Sequence, residues 1–482
     1  MRSIVAVFDK KGGQATRKAV IMLKTLKQKG ADTFGLATPT SIDLKAEPEK
    51  LRIQELESQT AVGHVFTKIL ADDKPQPIML ESTALVFDGR IYQPQEFSDI
   101  ESVVNAIEDD VEAGVNALMC VSDGSFAFAI AKPKQLIVGR DSLGLYPLYY
   151  GENKDTFAVA SERKALWKIG INKTFSFPPR HIFVVGEKGV KTTTIKPAKN
   201  HCKRCVTMDE AVKNLKLLLE ESAKQRFSGL KTVAVAFSGG LDSSLTAFLA
   251  KKAGVKTCLI HVSLENQAET LQAKEAATML DLPLHTYTYS EEDLKQTIPA
   301  VLLATENAEP LNVSIGVPLF WAAEKASELG LNMLSSGQGA DELFGGYKRY
   351  LTLYSRYGES LAEKAIIYDV SRMHEANFER DSKICSFNNV ELRLPFATYP
   401  LVNFAMKLPL NLKIESRNDL LRKAVLRKTA EKMGLPPQIA YRPKKAIQYA
   451  TGVSKAIKKL AKREKLSLKQ FLDRLFQDCL KE

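Results

Sequence analysis

The chain has 482 residues, of which 45% are apolar and 26% charged, with a net charge of +12. That length allows two or three domains with buried cores, and the balance is that of a folded globular protein rather than a disordered or fibrous one. No apolar run is long enough to span a bilayer and the N-terminus has no secretory apolar segment, so a cytoplasmic protein without membrane contact is expected.

Residues 1–190 read as mostly β. Short apolar runs recur at Ile4–Phe8, Ala84–Phe87, Ser125–Ile130, Leu136–Val138, Thr156–Ala160 and His181–Val185, separated by glycine and proline turns. Helical spacing interrupts at Thr16–Lys29 and Ile100–Ala113. This mixture predicts stacked β-sheets flanked by helices. The segment Lys188–Lys203 is basic, threonine-rich and without helical periodicity, and predicts a linker, set at residues 191–207. From Met208 a helix, the strand Val233–Phe237, a helix from Leu245, the strand Thr257–Val262, a helix at Ala268–Leu280 and the strand Leu284–Tyr289 alternate. That rhythm predicts a parallel sheet with helices on both faces over residues 208–482, largely helical beyond Tyr347.

Much of the positive excess sits in Lys455, Lys458, Lys459, Lys462, Arg463, Lys465 and Lys469. Ile457, Leu460, Leu468, Phe471, Leu472 and Leu475 interleave with them at helical spacing, so an amphipathic closing segment is preferred to an RNA-binding tail. The six cysteines are scattered, which excludes a secreted disulfide framework. Cys202 and Cys205, with His201 beside them, lack the second ligand pair that structural zinc requires, and are read as incidental to the linker.

The segment with most chemistry in it is Ser238-Gly239-Gly240-Leu241-Asp242-Ser243-Ser244. A buried strand empties into a glycine turn and then a helix start. Glycines admit a phosphate close to the backbone, free N–H groups at the helix start attract its charge, and Asp242 can hold Mg²⁺ against a polyphosphate. The lysine of a Walker loop is missing. The segment resembles the pyrophosphate-binding loop of ATP pyrophosphatases, which split ATP into AMP and pyrophosphate.

Further segments resemble the glutamine-dependent asparagine synthetases. Ser335-Ser336-Gly337-Gln338-Gly339-Ala340-Asp341-Glu342-Leu343-Phe344-Gly345-Gly346-Tyr347 is similar to that family's Ser-Gly-Glu-Gly-Ser-Asp-Glu-x-Phe-Gly-Gly-Tyr. Val390–Phe396, Leu420–Ala424 and Arg442–Lys445 match later elements; Phe126–Ile130, Arg140–Gly144, Pro147–Tyr150 and Ala160–Leu166 match earlier ones. The resemblance spans nearly the whole chain. It implies an N-terminal β-sandwich of the Ntn-hydrolase type and a C-terminal ATP-pyrophosphatase domain, an α/β and α+β chain overall. It also implies ATP and Mg²⁺ as cofactors, adenylation of a carboxylate (aspartate by default) and displacement of AMP by ammonia.

Residue by residue, the resemblance places Ser238, Gly239, Gly240, Leu241, Ser243 and Ser244 around the pyrophosphate. Ala236 and Ile260 fall beside adenine, and Ser336 and Gly337 beside AMP. Asp242 and Asp341 become metal ligands, and Lys444 the residue that offsets charge at the α-phosphate, with Lys445 as its competitor. Arg393 and Arg422 are expected to meet a carboxylate or phosphate, with a structural ion pair as the alternative.

Two departures stand out. Gln338 occupies the place of the family's catalytic glutamate and has no useful basicity; Glu306 is a candidate replacement, with a structural role equally open. β-Lactam synthetases also replace this glutamate, which keeps amide formation with another acid or amine open; a non-catalytic ATP-binding paralogue is the other alternative. In the N-terminal half, Arg2 stands where the family has its nucleophilic cysteine, Gly63-His64-Val65-Phe66 where it has Gly-His-Arg-Arg, and Asp88-Gly89-Arg90 where it has Asn-Gly-Glu. An ionised Asp88 repels an oxyanion, and Arg90 repels the ammonium of glutamine. A domain without glutaminase activity is expected, fed by free ammonia or a separate donor. Nucleic acid is not an expected partner; a homo-oligomer is left open.

Overall fold

The strand Ser3–Asp9 lies between two cores. Its Val5 and Val7 pack against the helices Ala15–Thr25 and Arg163–Lys168, while Ile4, Ala6 and Phe8 face a second sheet. Alternate side chains of a strand point to opposite faces, so an all-apolar strand must be covered on both. In this computed structural model, which describes residues 2–27, 31–52, 57–92, 98–121, 123–195 and 206–481, the chain divides into two units, Met1–Asn200 and His201–Glu482.

The first unit stacks two antiparallel sheets between helical layers. One has the order Phe175–Ser176, Tyr149–Glu152, Thr156–Ala160, Ser3–Asp9, Thr60–Phe66, Thr33–Thr38, Ser41–Lys45. The other runs Gly189–Thr194, His181–Gly186, Gln135–Arg140, Gly124–Lys132, Thr83–Ile91, Ile78–Leu80. Its outer face carries the helices Asp99–Ile107 and Val111–Val121 over Leu85, Phe87, Phe128 and Ile130.

Two expectations are corrected here. The single helix Ile100–Ala113 is two, because Asp110 accepts the N–H groups of Glu112 and Ala113 at 2.9 and 3.0 Å and so caps a new helix. The start of the expected linker is a strand. Gly189–Thr194 pairs with His181–Gly186, its threonines suiting an exposed edge. His201, Cys202 and Cys205 lie outside the described residues.

The second unit is built on a parallel sheet of order Leu284–Tyr289, Lys256–Leu264, Thr232–Ala236, Met333–Ser335, Glu391–Arg393. The helices Glu291–Thr305, Pro310–Glu328 and Glu379–Phe387 cover one face through Ala234, Ile260, Val262 and Leu334. The closing helices Val453–Arg463 and Leu468–Cys479 bury Ile457, Leu460, Phe471 and Leu472 in the same core, as their apolar stripe predicts. From Thr232–Ala236 the chain first builds outward on one side, then returns to build the other. Crevices at such a reversal, at the carboxyl ends of the strands, are where open α/β sheets bind ligands. The loops 237–240 and 336–339 both leave the sheet there, the second leading into the short helix Ala340–Phe344. Among the described residues no helix is long and apolar enough to cross a membrane.

Candidate active site

The strand Thr232–Ala236 delivers the loop Ser238–Gly240 to this crevice, and the helix Leu241–Lys252 begins with Gly240 as its N-cap and no side-chain cap. Among the described residues four other helices start with reciprocal side-chain caps, including Thr207 with Glu210 and Ser290 with Asp293. Here the first N–H groups are left for another acceptor. Gly239 has φ +73°, and a β-carbon on it would lie 2.8 Å from the Gln272 carbonyl, so the turn admits only glycine. Ser243 Oγ meets Ser238 N at 3.2 Å and Ser238 Oγ at 3.1 Å, closing the loop on itself. Arg442 braces it from outside, donating to the Gly239 carbonyl at 3.1 Å and the Gln272 carbonyl at 2.9 Å.

Leu241 and Ser244 are buried, and Ser244 spends its N–H on the Gly240 carbonyl at 3.0 Å. Ile260 is also buried, its carbonyl accepting Phe237 N–H at 2.8 Å; Ala236 pairs with it in register and is half-buried. Ser336 keeps a buried hydroxyl with no partner, a polar atom whose desolvation is uncompensated within the protein. A β-carbon on Gly337 would come within 2.6 Å of Asp242 Cβ, so the 336–339 loop touches the first turn of the helix Leu241–Lys252 through this glycine.

At the centre stand two carboxylates and two ammonium groups. Lys423 Nζ lies 2.7 and 2.6 Å from the two oxygens of Asp242 and 2.7 Å from Asp341 Oδ1. Lys444 Nζ bonds Asp341 Oδ2 and sits 5.3 Å from the centre of the Tyr347 ring. Burial pushes Asp242 up, but Lys423 and Lys444 outweigh it and hold the carboxyl below its usual range. Burial also pushes both lysines down, against the pull of Asp242. Lys445 points elsewhere, to Glu269. Of the two adjacent lysines, Lys444 is therefore the one in the cluster.

The remaining expected site residues are placed differently. Glu306 ends the helix Glu291–Thr305 in a buried ion pair with Lys383, whose ammonium also donates to the Thr305 carbonyl at 2.9 Å. Arg393 is buried in the strand Glu391–Arg393, its guanidinium on Glu391 at 2.6 Å and on the Arg226 carbonyl at 3.2 Å. Both are spent on the scaffold, the structural alternative in each case. Arg422 donates to the Gly346 and Leu420 carbonyls at 3.0 and 2.8 Å, beside the cluster. Gln338 is half-buried in the 336–339 loop. Lys423 and its supporting Arg427 were not singled out from sequence. The only signal was their place beside the Leu-Arg element, where Arg422 was the more conspicuous charge.

Asp242 and Asp341 offer the hard oxygen donors that Mg²⁺ prefers. No group of three or more potential metal-ligating side chains occurs among the described residues.

In the first unit, the place expected for glutamine is filled by charge. Arg2 pairs with Asp73, and Arg90 grips the same carboxylate at 2.6 and 3.1 Å while reaching Asp99 at 3.3 Å. Burial pushes Asp73 up, but the hydrogen bonds and charges of Arg90 and Arg2 hold it far below the carboxylate range. Asp88 accepts the Tyr146 hydroxyl at 2.7 Å, and Tyr146 meets Ser161 at 2.9 Å. His64 is fully buried with neither ring nitrogen bonded; burial, then Arg2, brings it down to about 3.

The asparagine synthase family model matches residues 214–365 and 355–479, and the glutamine amidotransferase domain model matches residues 64–168. A putative glutamine-hydrolysing asparagine synthetase of Methanocaldococcus jannaschii is 31% identical over 554 aligned positions, covering 100% of both chains.

The chain belongs to the asparagine synthetase family.

It is thus a carbon–nitrogen ligase with an amidotransferase-type N-terminal unit. Asparagine synthetase 2 of Arabidopsis thaliana is 28% identical across 79% of this chain and 69% of its own length. A probable asparagine synthetase of Dictyostelium discoideum is 25% identical across 94% and 86%. All three are named as glutamine-hydrolysing enzymes.

Proposed function

We propose that this asparagine synthetase homologue adenylates a carboxylate, aspartate by default, with Mg-ATP and transfers ammonia to it, without hydrolysing glutamine itself. The observation that carries the first half is the convergence of Asp242, Asp341, Lys423 and Lys444 on an uncapped helix start at the strand-order reversal.

Ser238, Gly239, Gly240 and Ser243 hold the β- and γ-phosphates against the free N–H groups of the helix start. Ala236, Ile260, Ser336 and Gly337 line the adenosine side. Asp242 and Asp341 would hold Mg²⁺, which when bound would supply charge neutralisation for the polyphosphate. The substrate carboxylate oxygen attacks the α-phosphorus and the α–β bridging bond breaks. Lys444 stabilises the charge gathered there. Ammonia then attacks the acyl carbon, the bond to the AMP oxygen breaks, and the nitrogen sheds a proton to the departing AMP phosphate. Gln338 orients the nucleophile by hydrogen bonding but takes no proton. Arg422 stays a candidate for the substrate carboxylate; Glu306 and Arg393 do not.

The absence of glutaminase activity is supported by the Arg2–Asp73–Arg90–Asp99 network. Two guanidinium groups stand where a substrate ammonium and a nucleophile are needed, and Asp88 where an oxyanion donor is. Ammonia then comes from solution or from a separate donor, and we place the reaction in the cytoplasm. A second reading, an amide ligase for another acid or amine, is favoured by Gln338 alone.

Pyrophosphate release by the purified chain with Mg-ATP, aspartate and either ammonium or glutamine tests both halves. Ammonium-dependent release with asparagine formed, and no glutamate from glutamine, is the expected result. Glutamate production would overturn the second half. Release with neither nitrogen source, or none with aspartate, would favour the other ligase.

A further inference from the structure

Lys423 reaches its position from an unusual turn. Arg422 and Lys423 have φ +56° and +57°, consecutive left-handed residues that carry side chains. The turn is held on both sides. Asp419 accepts the N–H groups of Leu421 and Arg422 at 3.0 and 2.8 Å, and Arg427 donates to the carbonyls of the same two residues at 2.7 Å each. Strain of this kind persists only where the surroundings impose it. Its effect is to deliver one nearly fully buried ammonium group between two carboxylates. With Lys444 on the remaining oxygen of Asp341, every carboxylate oxygen of the pair lies within ion-pair distance of a lysine, while Asp341 Oδ1 accepts no hydrogen bond.

Those oxygens are also the ones a divalent cation must use. We propose that Lys423 is a resident counter-ion of the metal pocket. Lys423 and a divalent cation are alternative occupants of Asp242 and Asp341, and Lys423 yields them only when a polyphosphate is present to accept its ammonium group. This rests on the Mg-ATP reading above. Its consequence is that the free metal ion is excluded while the metal–nucleotide complex is admitted. Metal and nucleotide then raise each other's affinity by one common factor, as linkage requires.

The test is binding of Mn²⁺ to the full chain, followed by the paramagnetic resonance of the free ion, alone and with a non-hydrolysable ATP analogue. In the unmodified chain, Mn²⁺ alone should bind at least tenfold more weakly than with the analogue. Lys423→Met should gain at least tenfold in affinity for Mn²⁺ alone, and Lys423→Arg, which keeps the charge, should not. Equal Mn²⁺ affinity with and without the analogue, in a chain that binds the analogue, overturns the exchange and leaves the nucleotide reading intact. So does a folded Lys423→Met chain with no gain. Should Lys423→Met fail to fold, the comparison on the unmodified chain decides. Failure to bind the analogue with Mg²⁺ or Mn²⁺ overturns the nucleotide reading and the inference together.

Discussion

Lys423 chelates both oxygens of Asp242, a residue 181 positions earlier, and so ties the phosphate loop to the turn after Asp419. The link explains why elements far apart in sequence make one site. A buried ammonium group without a carboxylate, or the reverse, costs several kcal/mol, so the two segments are stable only together.

Lys444→Ala should lower the rate of ATP–pyrophosphate exchange by about two to three orders of magnitude, the usual cost of losing one preorganised donor to a developing charge. Lys445→Ala should change it less than twofold, because Lys445 pairs with Glu269 instead. Similar losses from both would mean that the cluster does not face the α-phosphate.

Gly337→Ala should raise KM for ATP and lower kcat together. The added methyl lands 2.6 Å from Asp242 Cβ, so Asp242 must move. A variant with unchanged nucleotide kinetics would separate Asp242 from nucleotide binding.

Glu306→Gln should lower stability by about 3 kcal/mol, the penalty for leaving Lys383 buried without its partner. The pH profile of amide formation should stay in place. A lost acidic limb in that profile would restore Glu306 to the reaction.

Arg2→Ala should destabilise the first unit, by about 2 kcal/mol, through the loss of one arm of the largely buried Asp73 network, and should create no glutaminase activity. Denaturant titration and glutamate release measure the two effects.

His64 sets a pH dependence of known sign. Its folded pKa of about 3 lies below its ordinary 6.5, so between these values the unfolded chain holds the extra proton. Stability therefore rises with pH across this window: the penalty is absent above pH 6.5 and grows as the pH falls toward 3. His64→Leu should flatten the slope of unfolding free energy between pH 4 and 6.5 relative to the unmodified chain. An unchanged slope would mean that His64 is protonated in the folded state.

Much of this architecture was legible because local patterns carried it. The apolar run Val233–Phe237 and the glycine turn before Leu241 announce a strand, a tight turn and a helix start from adjacent residues, and the parallel strands up to Leu284–Tyr289 followed from their spacing. The strands Met333–Ser335 and Glu391–Arg393 did not. Three residues have no periodicity of their own, and they exist as strands only because a neighbour supplies the hydrogen bonds.

The division is the same at the site. Sequence alone determined which residue types were present: the loop from Ser238 to Ser244, the Asp341 segment, the lysine pair, and Arg2 and Arg90 in the first unit. Only the tertiary structure decided which of them meet. It turned Lys444 inward and Lys445 outward, locked Glu306 and Arg393 into ion pairs, and drew Lys423 into the centre through two left-handed residues. Charge is written in the sequence, but its partner is chosen by packing, because a buried ion must find whichever opposite charge the fold places within a few ångströms.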